Sequence, residues 1–239
     1  MPRITRKTLI QTNDDATSCY DRIIPNLAMM VSQKYGVHPQ VTATNARTLE
    51  KAEYRIRSES GLAPKGYQHN QHFPIYGTGQ GSSNSPAIWC FLSSSLYECY
   101  DTQATKAIYC TPSRTNHVEV GMIGFVDDSN GQTNCFVLDE NRQTVDKVMK
   151  QTQRNAQSWS DLLNVSGGAL ELSKCSYHVI SWKFSAQGDP VLYPDRTRYS
   201  PITVIDCQTG IPHNLEYLSP YTAHKTLGHY KDPAGNQKE

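Results

Sequence analysis

The feature that most narrows the fold is a β-prone apolar run, Val118 to Val126, ending on two adjacent acids, Asp127 and Asp128, and followed by Ser129, Asn130 and Gly131. Val, Met, Ile and Phe suit a half-buried pleated surface, whereas Asp, Ser, Asn and Gly are turn formers. Apolar character returns over Cys135 to Leu138, which predicts a β-hairpin with both acids at its tip. A side chain placed there is held by two strands yet projects into solvent. Two carboxylates in such close quarters repel, and each tends to retain a proton unless a cation stands beside it. Mg²⁺ prefers carboxylate oxygens and keeps several waters, so it suits the tip. An isolated Asp-Asp-Ser-Asn can equally be a plain turn whose side chains bond their own backbone, so the pair alone decides nothing.

Around the hairpin the pattern is mixed. Ile23, Ile24, Leu27, Met30 and Val31 fall at helical spacing between Cys19 and Tyr35, with Pro25 acceptable only in a first turn and Gly36 as the stop. A second helix is predicted over Ala43 to Ala52. A short strand over Tyr54 to Arg57 follows, then a loop rich in Gly, Pro, His and Gln up to Gly81. Ser85-Pro86 opens a helix to about Tyr100, since serine caps well and proline fits the first helical position; Ala87, Ile88, Phe91, Leu92 and Leu96 share its apolar face. Gln143 to Leu163 reads as a helix and Tyr177 to Phe184 as a strand. Ile202 to Asp206 with His213 to Leu218 reads as a hairpin about Thr209-Gly210. This order predicts an α+β fold, an antiparallel sheet backed by helices on one face, in a single domain over residues 1–239.

A second acidic pair, Asp14-Asp15, precedes the first helix, and here the chain resembles a known family. Phe125-Val126-Asp127-Asp128 is similar to the reverse-transcriptase motif of an aromatic, any residue and two aspartates. Gly79-Gln80-Gly81-Ser82-Ser83-Asn84-Ser85-Pro86 is similar to that family's Gln-Gly, three residues, Ser-Pro signature. Asp15-Ala16-Thr17-Ser18-Cys19-Tyr20 resembles the first catalytic motif, an Asp with an aromatic five positions on; Asp14 would put Cys19 at the aromatic's place, so the match selects Asp15. Ser166 to Cys175 is similar to the next motif of non-LTR-type enzymes, and Thr226-Leu227-Gly228 resembles the Leu-Gly turn before the primer-gripping hairpin.

The resemblance, spanning residues 12 to 231, implies a polymerase palm with partial fingers in which residues 36–78 form a fingers-like insertion. It implies an RNA-directed DNA polymerase core of a retroelement, adding deoxynucleotides to a primer 3′-hydroxyl on an RNA or DNA template. By it, Asp15, Asp127 and Asp128 are catalytic and hold two Mg²⁺ ions, or Mn²⁺, with the Ala16 carbonyl as a further ligand. Two such ions roughly 3.5–4 Å apart clamp the attacking and leaving oxygens. Tyr20 would exclude a ribose 2′-hydroxyl, Gln80 and Gly81 would meet template or nucleotide, and Lys174 would stand near the leaving group as proton donor or charge stabiliser. Only about a dozen residues precede Asp15, so N-terminal fingers and a thumb are expected to be absent or truncated. A nuclear location is implied only by the family.

Bulk properties exclude little. Lys plus Arg number 23 and Asp plus Glu 22, a net charge of +1, so any affinity for phosphates has to be local. Seven cysteines, none within three residues of another, argue against a thiolate zinc cage and for free thiols in a reducing compartment. His69-Asn70-Gln71-His72 lacks a partner acid or cysteine at ligand spacing. No apolar stretch approaches the roughly eighteen residues of a membrane span. Two other functions compete: a catalytically silent retroelement relic that binds nucleic acid or protein, and a viral RNA-dependent RNA polymerase. Val126 and Gln80-Gly81 argue against the latter, whose hairpins usually read Gly-Asp-Asp.

Overall fold

A computed structural model describes residues 8–70, 76–79, 82–111, 113, 115–134, 145–192, 199–226, 229–231, 233 and 237–238. In chain order, β1 (Leu9–Asp15) leads to α1 (Cys19–Arg22), α2 (Pro25–Lys34) and α3 (Pro39–Lys51). Four two-residue strands follow, β2 (Glu53–Tyr54), β3 (Arg57–Ser58), β4 (Gly61–Leu62) and β5 (Tyr67–Gln68), and then α4 (Ser85–Gln103). β6 (Ala107–Cys110), β7 (His117–Val120), β8 (Met122–Phe125) and β9 (Asp128–Asn134) precede α5 (Val145–Val165). Beyond it lie β10 (Ser176–Ile180), β11 (Trp182–Phe184), β12 (Pro190–Leu192), β13 (Thr203–Ile205), β14 (Pro212–Asn214), β15 (Glu216–Leu218), β16 (His224–Thr226), β17 (His229–Lys231) and β18 (Gln237–Lys238). The fold is mixed α+β.

The chain gathers into two compact units. One holds residues 1–17, 97–164 and 169–239, and the other residues 18–96 and 165–168. The first is built on a five-stranded sheet of order β15-β10-β1-β9-β8. Its inner pairs are antiparallel, as the sequence predicts; β15 departs from that by running parallel to β10, Ser176 opposite Glu216.

The central strand β1, Leu-Ile-Gln-Thr-Asn-Asp-Asp, has no counterpart in the sequence-based prediction, because only its first two residues are apolar. Alternation along a strand sorts it into two faces. Ile10, Thr12 and Asp14 stand opposite Thr133, Gly131 and Ser129 of β9, and Ile10 and Thr12 also stand opposite Val179 and Tyr177 of β10. Helix α5 covers this face. Its buried residues Val148, Met149, Thr152, Asn155, Ala156, Trp159, Ser160 and Leu163 repeat at helical intervals. Val148, Met149 and Ala156 join Ile10, Cys175, Tyr177, Val179, Ile202, Val204 and Leu215 in the core. The polar strand residues are bonded rather than orphaned: Asn155 Nδ2 donates to Thr133 Oγ1 (2.9 Å), and Trp159 Nε1 to Ser129 Oγ (3.1 Å).

Two glutamines of α5 continue this bonding onto β13. Gln153 accepts from Thr203 N–H (2.6 Å) and donates to Thr203 C=O; Gln157 accepts from Ile205 N–H (2.8 Å) and donates to Ile205 C=O (3.2 Å). Four helical residues rise about 6 Å and two strand residues about 6.7 Å, so the amides pair with alternate strand residues as a further strand would.

Several sequence expectations are corrected here. The Cys19–Tyr35 helix divides ahead of Pro25, which takes the first position of α2 where its missing N–H costs nothing. The next helix begins at Pro39 rather than Ala43, with His38 Nδ1 accepting from Gln40 N–H (3.2 Å) as its cap. The Tyr54–Arg57 strand is two separate ribbons, and Tyr177–Phe184 contributes to two different sheets. β13 pairs with β14 alone, while β15 leaves for the main sheet. The acidic hairpin is tighter than predicted. Phe125 pairs with Asp128 across Val126-Asp127, and Ser129 to Asn134 are strand rather than turn. Cys135 to Leu138, the predicted return strand, lies outside the described residues. No described helix is long and apolar enough to cross a membrane.

Candidate active site

The sheet's second face carries the odd members of β1. Gln11, Asn13 and Asp15 stand opposite Gln132, Asn130 and Asp128 of β9, so strand pairing alone sets Asp15 directly against Asp128. Asp127 is drawn in by the backbone, its carbonyl accepting from Ala16 N–H at 3.1 Å. Beyond β1, Ala16 bridges Leu170; Thr17 N–H donates to Ala169 C=O (2.9 Å) and Glu171 N–H to Asp15 C=O (2.8 Å). The tight turn after Leu170, in which Lys174 N–H donates to Glu171 C=O (2.8 Å), then brings Lys174 Nζ to 3.8 Å from Asp15 Oδ1. Three acids and one lysine, from three separate segments of the chain, therefore share one edge of this unit.

The same alternation puts the two adjacent acids on opposite faces. Asp14 points to the helix-covered face, is 5% exposed and accepts from Thr12 Oγ1 at 2.9 Å. Burial pushes its carboxyl up to about 7 despite that hydrogen bond. Asp15 keeps 32% of its side-chain surface. Its carboxyl is also raised, by partial burial first; Lys174 opposes this, while Asp127, Asp128 and Glu171 add to it.

A cavity of about 150 Å³ opens at this edge, lined among others by Asp15, Asp128, Asn130, Lys174 and His224. His224 had no signal in the sequence beyond its place two residues ahead of the Thr226-Leu227-Gly228 segment. Burial lowers its pKa, while Asp128 and Asp15 pull the other way. The floor is a polar network: Asn13 Nδ2 donates to Ser176 Oγ (3.1 Å), and Asn130 Nδ2 to Asn13 Oδ1 (3.0 Å).

No family model matches the chain, and no curated protein matches it either. Three solved telomerase structures are similar to it. The apo enzyme from Candida tropicalis, truncated from its C-terminal domain, is 15% identical at a TM-score of 0.46, over 87% of this chain and 35% of that one. Telomerase from the same organism in complex with a TWJ fragment of telomeric RNA is 14% identical at 0.48, over 92% and 32%. The Candida albicans enzyme with such a fragment is 13% identical at 0.40, over 92% and 31%. The chain thus spans about a third of the length of each.

Other predicted residues fall in the second unit or outside the description. Tyr20 lies on α1, its ring edge-on to Trp89 of α4 at 6.5 Å. Ser85 does not cap α4 by accepting an amide; its Oγ donates to the carbonyls of Thr78 (2.9 Å) and Gly79 (2.8 Å). Gln80, Gly81, Leu227 and Gly228 lie outside the described residues.

As a cation site the acids are open. Among the described residues no three His, Cys, Asp or Glu side chains close into a cage. Mg²⁺ does not require one, since it takes one or two carboxylates and completes its shell with water and substrate phosphates. An all-oxygen pair such as Asp15 and Asp128, opposite in register, is a donor set of that kind.

Proposed function

We propose that this chain is the palm core of a reverse-transcriptase-type polymerase, transferring a nucleotide from a deoxynucleoside triphosphate to a primer 3′-hydroxyl on an RNA or DNA template. The observation that carries the reading is the register pair Asp15–Asp128, with Asp127 tied to Ala16: residues chosen by motif more than a hundred positions apart meet on one sheet edge. In this reading Asp15, Asp127 and Asp128 hold two Mg²⁺ ions, which when bound supply charge to both oxygens of the in-line displacement. The chain's own contribution is positional. Strand pairing sets Asp15 opposite Asp128, the 169–174 turn carries Lys174 Nζ to 3.8 Å from Asp15 Oδ1, and in this reading Lys174 would face the departing pyrophosphate. Tyr20, five residues along from Asp15, would select deoxyribose. A retroelement of non-LTR type is the source most consistent with the Ser166–Cys175 and Thr226–Gly228 segments.

The test is primer extension by the purified chain on an annealed template and primer with Mg²⁺. Asp15→Asn, Asp127→Asn and Asp128→Asn should abolish extension at unchanged thermal midpoint. Wild-type rates in the Asp15→Asn protein would refute the reading. An inert wild-type chain that still binds the oligonucleotide duplex would favour a silent scaffold instead.

A further inference from the structure

In the second unit, the turn bearing Tyr20 is tied to a segment some sixty residues further along. Tyr20 C=O accepts from Thr78 N–H (2.8 Å), and Ile23 C=O from Gly77 N–H (2.7 Å). Gly77 has φ +94, and a Cβ there would come within 2.7 Å of the Asp21 Cα and carbonyl oxygen, so only glycine permits the approach. The other edge of the same segment is held by Ser85, 2% exposed, whose hydroxyl reaches both the Thr78 and Gly79 carbonyls. A third tie closes behind the turn, where Ile24 N–H donates to Ser166 C=O at 3.0 Å and Gly167 packs against the Arg22 carbonyl.

A helix-opening serine ordinarily accepts from an amide in its own first turn. Here the hydroxyl is used to draw in a neighbouring segment. That segment is held against a local cost, because Thr78 Oγ1 is buried and has no hydrogen-bond partner among the described residues. Removing the Ser85 bonds would let residues 77–79 relax, and the Tyr20 carbonyl bonded to them would follow. We propose that Ser85 and Gly77 are positioning residues for Tyr20, fixing the α1 turn so that its ring discriminates deoxyribose from ribose. The inference rests on the polymerase reading, in which Tyr20 is the sugar-selecting residue. Its leverage is geometric: steric selection by one ring fails when the ring shifts by about 1 Å, a displacement that can cost on the order of a hundredfold.

The test compares kcat/KM for a deoxynucleotide and the matching ribonucleotide in the full chain, with wild type, Tyr20→Ala, Ser85→Ala, Ser85→Thr and the Tyr20→Ala/Ser85→Ala pair. Ser85→Ala should lower the deoxy-to-ribo ratio by roughly tenfold or more, mainly by admitting the ribonucleotide, and Ser85→Thr, which keeps the hydroxyl, should restore it. In the Tyr20→Ala background Ser85→Ala should change the ratio no further, since both act through one ring. Amide hydrogen exchange should rise across residues 76–79 in Ser85→Ala while Leu9–Asp15 stays protected. A Ser85→Ala protein that slows both nucleotides equally, or whose effect adds to that of Tyr20→Ala, overturns the positioning role alone. If Tyr20→Ala itself leaves the ratio unchanged, the sugar-selecting role falls and this inference with it. Gly77→Ala should act like Ser85→Ala; if it fails to fold, the serine series still decides.

Discussion

Replacing Asp14 by Asn separates two adjacent acids that the sequence alone cannot tell apart. In the folded chain the Asp14 carboxyl is displaced from 3.8 to about 7 by burial, with Thr12 Oγ1 its hydrogen-bond donor. Below pH 3.8 the acid is neutral in folded and unfolded chains alike, and its burial costs nothing electrostatic. As pH rises toward 7 the unfolded carboxyl ionises first, so the unfolded state binds fewer protons and stability falls. Above about 7 the loss is complete. A displacement of about three units amounts to about 4 kcal/mol, at about 1.4 kcal/mol per unit. Asn keeps an oxygen for Thr12 and cannot ionise, although its amide hydrogens need partners and shift the whole curve by a constant. The measurable quantity is therefore a difference. Urea unfolding with chelator present, at intervals from pH 4 to 8, should show Asp14→Asn gaining on wild type by about 4 kcal/mol across that window. Parallel curves would refute the placement of Asp14 on the helix-covered face. The same protein should extend primers, whereas Asp15→Asn should not.

Val126 sits at φ 56 in the two-residue turn between β8 and β9, a conformation that β-branched residues rarely adopt. Val126→Gly should relieve strain of order 1–3 kcal/mol and raise the urea midpoint, net of the glycine entropy cost; a lowered midpoint would show that the valine side chain, not the turn, dominates there. Gln153→Ala leaves both backbone groups of the half-buried Thr203 unpaired and should cost about 2 kcal/mol in chemical denaturation, while the equivalent loss at the exposed Ile205, through Gln157→Ala, should stay below about 1 kcal/mol. Equal effects would mean that solvent competes at both sites. His224 is lowered from 6.5, so as pH falls below that value the unfolded chain takes up a proton that the folded ring resists, and stability drops. His224→Gln should flatten that limb of the stability curve between pH 5 and 7, and an unchanged limb would place the ring outside the cavity.

Helices α4 and α5 were legible because their signal is local. Ser85-Pro86 opens the one, and the other repeats its apolar side chains with the period of a helix, so burial and periodicity coincide. The two strands at the centre of the sheet were not. β1 ends in Gln-Thr-Asn-Asp-Asp and β9 reads Asp-Ser-Asn-Gly-Gln-Thr-Asn, compositions that by propensity belong to turns. They are strands because each satisfies the other. Gly131 N–H donates to Thr12 Oγ1 (3.2 Å), and Asn130 Nδ2 donates to Asn13 Oδ1 (3.0 Å). A polar strand is stable only when its partner is beside it, and that partner lies more than a hundred residues away.

The site divides along the same line. Asp15, Asp127, Asp128 and Lys174 could be named because each sits inside a short motif with its own spacing, whereas Asn13 and Asn130 enter the cavity through strand pairing and His224 through tertiary packing alone. The tightness of the hairpin explains why the acids are offset. With Phe125 opposite Asp128, the turn consists of Val126 and Asp127, so Asp128 already belongs to a strand and inherits a fixed face, while Asp127 is aimed by the turn. Because β1 and β9 pair directly, a one-residue slip between them would exchange Asp15 for Asp14 opposite Asp128 and drive the wrong carboxylate into the core. In the observed alignment Asp14 is the buried acid, accepting from Thr12 of its own strand, and Asp15 is the one that stands opposite Asp128.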